Sequence, residues 1–275
     1  MADDGAAAGG PSAGDVPVAR VVWRPSYRLI PSRFPIVGLY DTIADPADLE
    51  VVFAIEALAN PRVRDELGAI RLVAPEERLS GPGATPIMAA FTHLNPEGSR
   101  FSDGTWGVYY AAHSVSTAVA EVSHHRAIFL SRTAEPALEI DLRLIGAGID
   151  APLHDLTPLA AAGRAAHWLD PDGYDASRRL GRALREAGSW GLRWPSVRDR
   201  GGECIGVFRP RALKPAKALA HIALWWDGRS IRSWYEKTAP TVLGDATRGR
   251  PPANTEAFDA AVAVDPADAA DGYQR

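Results

Sequence analysis

The sequence predicts a single α+β domain built on one mixed, twisted β-sheet, and three observations carry that expectation. Short apolar or alternating runs outnumber helical patterns. The two kinds do not alternate one for one, as a regular doubly wound parallel sheet requires, and no stretch repeats at a fixed period. The length of 275 residues, with 46% hydrophobic and 23% charged residues, suits a large domain with extensions and a sizeable core.

The elements follow in order. Runs at Ala19–Arg24, Ile70–Ala74, Ile87–Thr92, Gly107–Ala112, Ala137–Leu142, Glu203–Phe208 and Lys217–Leu224 read as strands. Helical spacing is clearest at 47–59, 115–126 and 174–187. The last of these carries Leu180, Ala183, Leu184 and Ala187 on one stripe before Gly188 ends it. Residues 1–18 form a low-complexity tail expected to be disordered, 19–236 the domain, and 237–275 an acidic low-complexity tail containing Pro251-Pro252.

Composition narrows the function classes. A formal net charge of −4 argues against direct nucleic-acid binding, which favours a basic surplus on one face. One cysteine, Cys204, makes neither an internal disulfide nor a thiolate metal cluster and fits a reducing compartment. No run approaches a membrane span, and the acidic start MADDGAAAGG lacks a signal-peptide layout, so a cytoplasmic protein with no membrane partner is expected. GxGxxG after a strand, GxxxxGK[ST], HExxH and GxSxG are all missing. Glu121 and His124 make one ExxH pair without the second copy a di-iron bundle needs, and no metal is expected.

The chemistry concentrates in Gly98–Ser114 and the helix that follows. Ser114 is placed to cap that helix, and Val115, Ala118, Val119 and Val122 make its apolar stripe. Glu121 lies at the stripe's edge, where a carboxylate rests against the sheet yet faces a cleft. In the preceding strand, alternation sends Tyr109 and Tyr110 to opposite faces, so only one looks toward the site. Seven arginines between 178 and 200 stand against Glu186 and Asp199, and read either as a solvated helix face or as a landing surface for an anionic substrate or acidic partner.

The sequence here resembles the RES domain family, toxins of bacterial toxin–antitoxin pairs whose fold is related to ADP-ribosyltransferases. The likeness is carried by Arg28–Pro35, by Gly98–Arg126 and by Pro195–Cys204, and it spans roughly 23–212. The family's Arg falls on Arg100, its Tyr on Tyr110, its Glu on Glu121 and its Ser on Ser196. Where the family often has an Asn soon after the Arg-aromatic pair, this chain has Ser102 and Asp103.

That resemblance implies an NAD+-consuming enzyme with an NAD-binding cleft in the sheet, and a cognate Xre-type antitoxin as partner. It leaves open whether ADP-ribose passes to water (a glycohydrolase), to phosphate (a phosphorylase) or to a protein acceptor (an ADP-ribosyltransferase). Cleaving the nicotinamide–ribose bond builds positive charge on the ribose, which a carboxylate bonded to a ribose hydroxyl stabilises most in the transition state, and this is the role expected of Glu121. Nicotinamide leaves as a neutral ring, so no strong general acid is needed. Arg100 offers a planar, permanently charged fork for pyrophosphate or ribose oxygens. Tyr110 offers an amphipathic ring. Ser196 is expected to bond the carboxamide or to hold Glu121, and Arg33 and His93 are further cleft candidates. Two rival readings are a non-catalytic interaction protein on the same fold and a metal-dependent hydrolase using Glu121, His124 and His125.

Overall fold

A computed structural model describes residues 12–32 and 69–238. Among these residues seven strands make one mixed sheet: β1 (Val18–Pro31), β2 (Tyr109–Ala112), β3 (Leu138–Asp155), β4 (Gly191–Pro195), β5 (Glu203–Val207), β6 (Lys217–Trp226) and β7 (Ile231–Lys237). Their spatial order is β1-β2-β5-β4-β3-β6-β7, and β1 also pairs with β3. Pairing is antiparallel except between β3 and β4, where His154 and Asp155 lie parallel to Leu192 and Arg193. Because β1 holds both β2 and β3, five strands close on themselves, and β6 and β7 extend from β3 as a flap. The α+β expectation holds.

Each face of the sheet buries its own core. One side packs Trp23, Tyr109, Ile149 and Ile205 under helix α1 (Thr85–Thr92). The other packs Phe101, Val119, Leu184 and Trp194 under α2 (Val115–Ser131) and α4 (Asp175–Glu186), with the short α3 (Thr157–Ala161) beside β4. Tyr109 and Tyr110 point to these opposite cores, as strand alternation requires. Ser114 caps α2, its hydroxyl accepting the Thr117 N–H at 3.1 Å.

Several elements differ from the sequence expectation. Ile87–Thr92 lies in helix α1 rather than a strand: Pro86 sits in the first turn, where its missing N–H costs nothing, and Ile87, Met88 and Phe91 bury one helical face. Ile70–Ala74 opens with a 3-10 turn, Ile70–Leu72, beneath α1. The strand expected to end at Leu142 runs on to Asp155. Its Gly146 reads locally as a stop, yet a Cβ there would lie 2.6 Å from Leu219 Cδ1, so the glycine serves a close approach within the sheet. Strands β4 and β7 were not expected; most β7 residues are exposed, which erases the period-2 signal. At the N-terminus, Ala13–Asp15 forms a 3-10 turn and Val16 is buried, so this part of the expected tail belongs to the fold. The helical pattern at 47–59 lies outside the described residues. Among the described residues no helix is long and apolar enough to cross a membrane.

Candidate functional site

Helix α2 carries Glu121 along the second face of the sheet, and the turn that joins β4 to β5 brings Ser196 onto it. The Ser196 hydroxyl donates to Glu121 Oε1 at 2.6 Å. That hydroxyl also accepts the N–H groups of Arg198 at 3.1 Å and Asp199 at 2.9 Å. With both lone pairs engaged, its single proton is directed at the carboxylate. Of the two roles open to Ser196, this geometry matches the holding of Glu121. Oε1 also accepts the thiol of buried Cys204 at 3.6 Å. Burial pushes that thiol's pKa far up, and the Glu121 charge adds to it, so Cys204 stays protonated and serves as a weak donor. Among the described residues Glu121 Oε2 has no protein partner.

Arg100 lies opposite. It is 8% exposed, and its guanidinium stacks 4.5 Å from the centre of the Tyr174 ring. Nη1 donates to the carbonyl of Asp170 at 2.7 Å, with a longer contact to that of Trp168. Burial lowers its pKa from the usual arginine value, while Tyr174 and Glu121 act in the opposite sense. One edge of the fork is therefore spent on the 168–174 loop. Tyr110 stands between the two sides: its hydroxyl meets Ser99 Oγ at 2.8 Å and accepts the Phe101 N–H at 3.0 Å. Burial raises its pKa to about 12, so it remains a phenol. The hydroxyl anchors the Arg100 loop, and the ring is what Tyr110 has left to offer.

The loop before β2 is tied down from α4. Arg178 donates to the carbonyls of Ser99 at 3.0 Å and Glu97 at 2.7 Å, and Arg182 pairs with Asp103. Gly181 lets the helix close on this loop, since a Cβ there would sit 2.0 Å from the Phe101 carbonyl oxygen. Ser102, at one of the positions that departs from the family pattern, donates to the Trp106 carbonyl at 2.6 Å, and Asp103 caps Thr105. Arg185 lies over Trp106, Arg193 pairs with Asp155 and Glu203, and Arg198 donates to the Pro171 carbonyl. The arginine surplus is divided: Arg179, Arg182, Arg185 and Arg200 are exposed, as a solvated face requires, while Arg178, Arg182 and Arg198 fasten loops around the site.

Arg100, Tyr110, Glu121 and Ser196 therefore come together. His93 does not join them: it is exposed at the end of α1, on the opposite face of the sheet, its ring 3.1 Å from the Thr92 hydroxyl. Arg33 lies outside the described residues. His124 and His125 follow Glu121 on α2, and burial holds both imidazoles below the usual pKa; Arg198 adds to this at His124, and His124 at His125. Among the described residues no group of three or more His, Cys, Asp or Glu side chains could hold a metal ion. The sequence reading missed Tyr174, Thr117, Asp199 and the thiol of Cys204 as parts of this site. An open groove of about 380 Å³, lined in part by Phe91, Trp106, Arg185 and Phe208, includes none of the four converging residues.

The family model described as the RES domain matches residues 75–227, more than half of the chain and all four converging residues. The chain belongs to the RES domain family. An uncharacterized protein of Sinorhizobium fredii, y4oC, is 31% identical over 229 residues, which cover 80% of this chain and 93% of that protein. Among solved structures, the Mycobacterium tuberculosis MbcT–MbcA toxin–antitoxin complex contains a chain that matches with a TM-score of 0.42 and 12% identity, covering 82% of this chain and 90% of that one. In this RES domain the matched segment opens just before α1 and closes just after β6.

Proposed function

We propose that this RES domain protein is the toxin of a toxin–antitoxin pair and cleaves NAD+ at the nicotinamide–ribose bond, passing ADP-ribose to water, phosphate or a protein side chain. One observation carries the chemistry: a carboxylate, Glu121, is held through one oxygen by a dedicated hydroxyl donor, while its other oxygen has no partner among the described residues and lies near the buried guanidinium of Arg100, which stacks on the Tyr174 ring. The family resemblance supplies the substrate class.

In this reading Glu121 Oε2 accepts a ribose hydroxyl. The C1′–N bond breaks, its electron pair leaves on the neutral nicotinamide, and the acceptor's lone pair closes on C1′, any proton the acceptor carries being lost to solvent. The Glu121 charge offsets the positive charge that develops on the ribose, an interaction that strengthens toward the transition state. Ser196 keeps Oε1 fixed, so the carboxylate does not reorganise during the reaction. The free donors of Arg100 meet pyrophosphate or ribose oxygens, and the ring of Tyr110 faces the nicotinamide. NAD+ is the substrate, and no metal has a role.

The deciding assay is NAD+ loss by the purified chain with and without a chelator, products identified by mass. Chelator-insensitive release of nicotinamide is expected, and Glu121→Gln should lower it by at least about 10², roughly 3 kcal/mol of transition-state stabilisation. Silencing by the chelator would favour a metal hydrolase built on Glu121, His124 and His125; intact NAD+ would favour the interaction protein. In cells, the wild-type chain expressed alone should deplete NAD+ and stop growth, and a cognate Xre-type antitoxin should cover the cleft and relieve it. Normal growth with undiminished NAD+ despite soluble wild-type protein would end the toxin reading.

A further inference from the structure

Building on that reading, we infer that Thr117 and Asp199 form a clamp that sets the turn carrying Ser196 against helix α2, making both of them positioning residues for Glu121. The turn between β4 and β5 is closed by the Ser196 N–H on the Gly202 carbonyl at 2.8 Å and the Gly202 N–H on the Asp199 carbonyl at 2.9 Å. These bonds shape the turn without saying where it sits relative to the helix. That is decided by the Asp199 side chain, whose Oδ2 accepts the Thr117 hydroxyl at 2.7 Å.

Thr117 lies four residues before Glu121, so the two side chains stack on one face of α2, a turn apart. The segment is therefore fastened at two points: Thr117 to Asp199 and Glu121 to Ser196. The points are coupled, because the Asp199 N–H is one of the two donors that saturate Ser196 Oγ. Moving Asp199 moves the group that directs the serine proton at Glu121.

Thr117 is the buried half of the clamp and Asp199 the half-buried one. Thr117 is 1% exposed, and since its proton goes to the Asp199 carboxylate, its oxygen accepts from Ser114 Oγ at 2.7 Å. Ser114 is thus both the cap of the helix and the next link of a hydroxyl relay that ends on Asp199. Gly202 permits the close approach: a Cβ there would lie 2.4 Å from Thr117 Oγ1 and 2.9 Å from Asp199 Oδ2. A carboxylate whose orientation must survive the reaction without reorganising is sensitive to shifts well under 1 Å, which is why such a contact acts on turnover.

The test uses the full chain and two pairs of variants. Thr117→Val keeps the shape and removes the hydroxyl, whereas Thr117→Ser keeps the hydroxyl; Asp199→Ala removes the acceptor, whereas Asp199→Asn retains one. Thr117→Val and Asp199→Ala should each lower kcat for NAD+ cleavage about tenfold, with KM changed less than about twofold. Thr117→Ser and Asp199→Asn should recover most of the rate. Hydrogen exchange at the amides of 196–202 should quicken in Thr117→Val and Asp199→Ala only. Unchanged kcat in a folded Thr117→Val or Asp199→Ala chain, or a change confined to KM, overturns the clamp. If the wild-type chain proves inert toward NAD+, the reading above fails, and the exchange data decide the clamp by themselves: unchanged protection of the turn sinks it.

Discussion

The side of the cleft that carries Arg100 is fastened by guanidinium groups bonded to backbone carbonyls, whereas the side that carries Ser196 is fastened by hydroxyls bonded to carboxylates. Arg100 holds the Asp170 carbonyl, and Arg178 those of Ser99 and Glu97; Ser196 holds Glu121, and Thr117 holds Asp199. Arg198 joins the two, rising from the Ser196 turn to the Pro171 carbonyl. A guanidinium keeps its charge at any working pH, and a carbonyl acceptor is present at every residue. The first side is therefore rigid but tolerant of what its loops contain, while the second depends on a few particular side chains.

Removing a cation should break the first side. Arg100→Ala takes a buried donor from the Asp170 carbonyl and the stacking partner from Tyr174, so it should cost about 2–3 kcal/mol of stability together with at least about 10² in kcat/KM for NAD+. Arg100→Lys should be nearly as damaging, because an ammonium neither lies flat on the Tyr174 ring nor presents a planar fork. A Lys variant with wild-type melting temperature and kinetics would reduce Arg100 to a diffuse charge.

The same side should yield to crowding. In Gly181→Ala the new methyl carbon would meet the Phe101 carbonyl oxygen at 2.0 Å, and neither backbone has a flexible end to give. Separating α4 from the Arg100 loop should cost about 1–3 kcal/mol in urea unfolding, although alanine favours helices. Unchanged stability would mean that α4 does not press on this loop.

On the other side, Ser196→Ala removes the donor to Glu121 Oε1 and leaves the N–H groups of Arg198 and Asp199 without their acceptor. The expected loss is about tenfold in kcat with little change in KM, smaller than for Glu121→Gln because the carboxylate itself remains. A pure KM effect would instead place Ser196 against the substrate.

This contrast also explains what the sequence could and could not reveal. Arg100, Tyr110 and Glu121 were legible through the family resemblance, which the succession of one loop, one strand and one capped helix supports by placing them close together in the chain. Ser196 was legible through the same resemblance, with no nearby element to support it. Thr117 and Asp199 were not, because their contact joins residues 82 apart in the chain and neither type is unusual where it stands. The arginines were visible as a surplus, but Arg178 and Arg198 bond backbone carbonyls, which leave no trace in composition. Of the fold, the sheet class was readable from its apolar runs. Helix α1 was not, since a run of five apolar residues, Ile87–Phe91, fits either period, and β7 was not, since exposure removes its alternation.

The smallest expected effect is a pH dependence that reports on both sides at once. His124 and His125 feel burial together with the cations Arg198 and Arg100, and only Glu121, with Asp172 in the case of His124, pulls the other way; both imidazoles are held below the ordinary value of 6.5. The unfolded chain therefore binds more protons than the folded one as pH falls through about 6.5, so stability is full above that value, declines below it and levels off beneath the lowered folded pKa values. The melting temperature should fall between pH 7 and pH 5, and a His124→Gln/His125→Gln chain should show a visibly flatter decline. Arg198→Gln should flatten it partly, because it removes the cation nearest the pair in effect while leaving the imidazoles in place. Identical slopes in all three chains would show that the histidines do not sense the charge of either side.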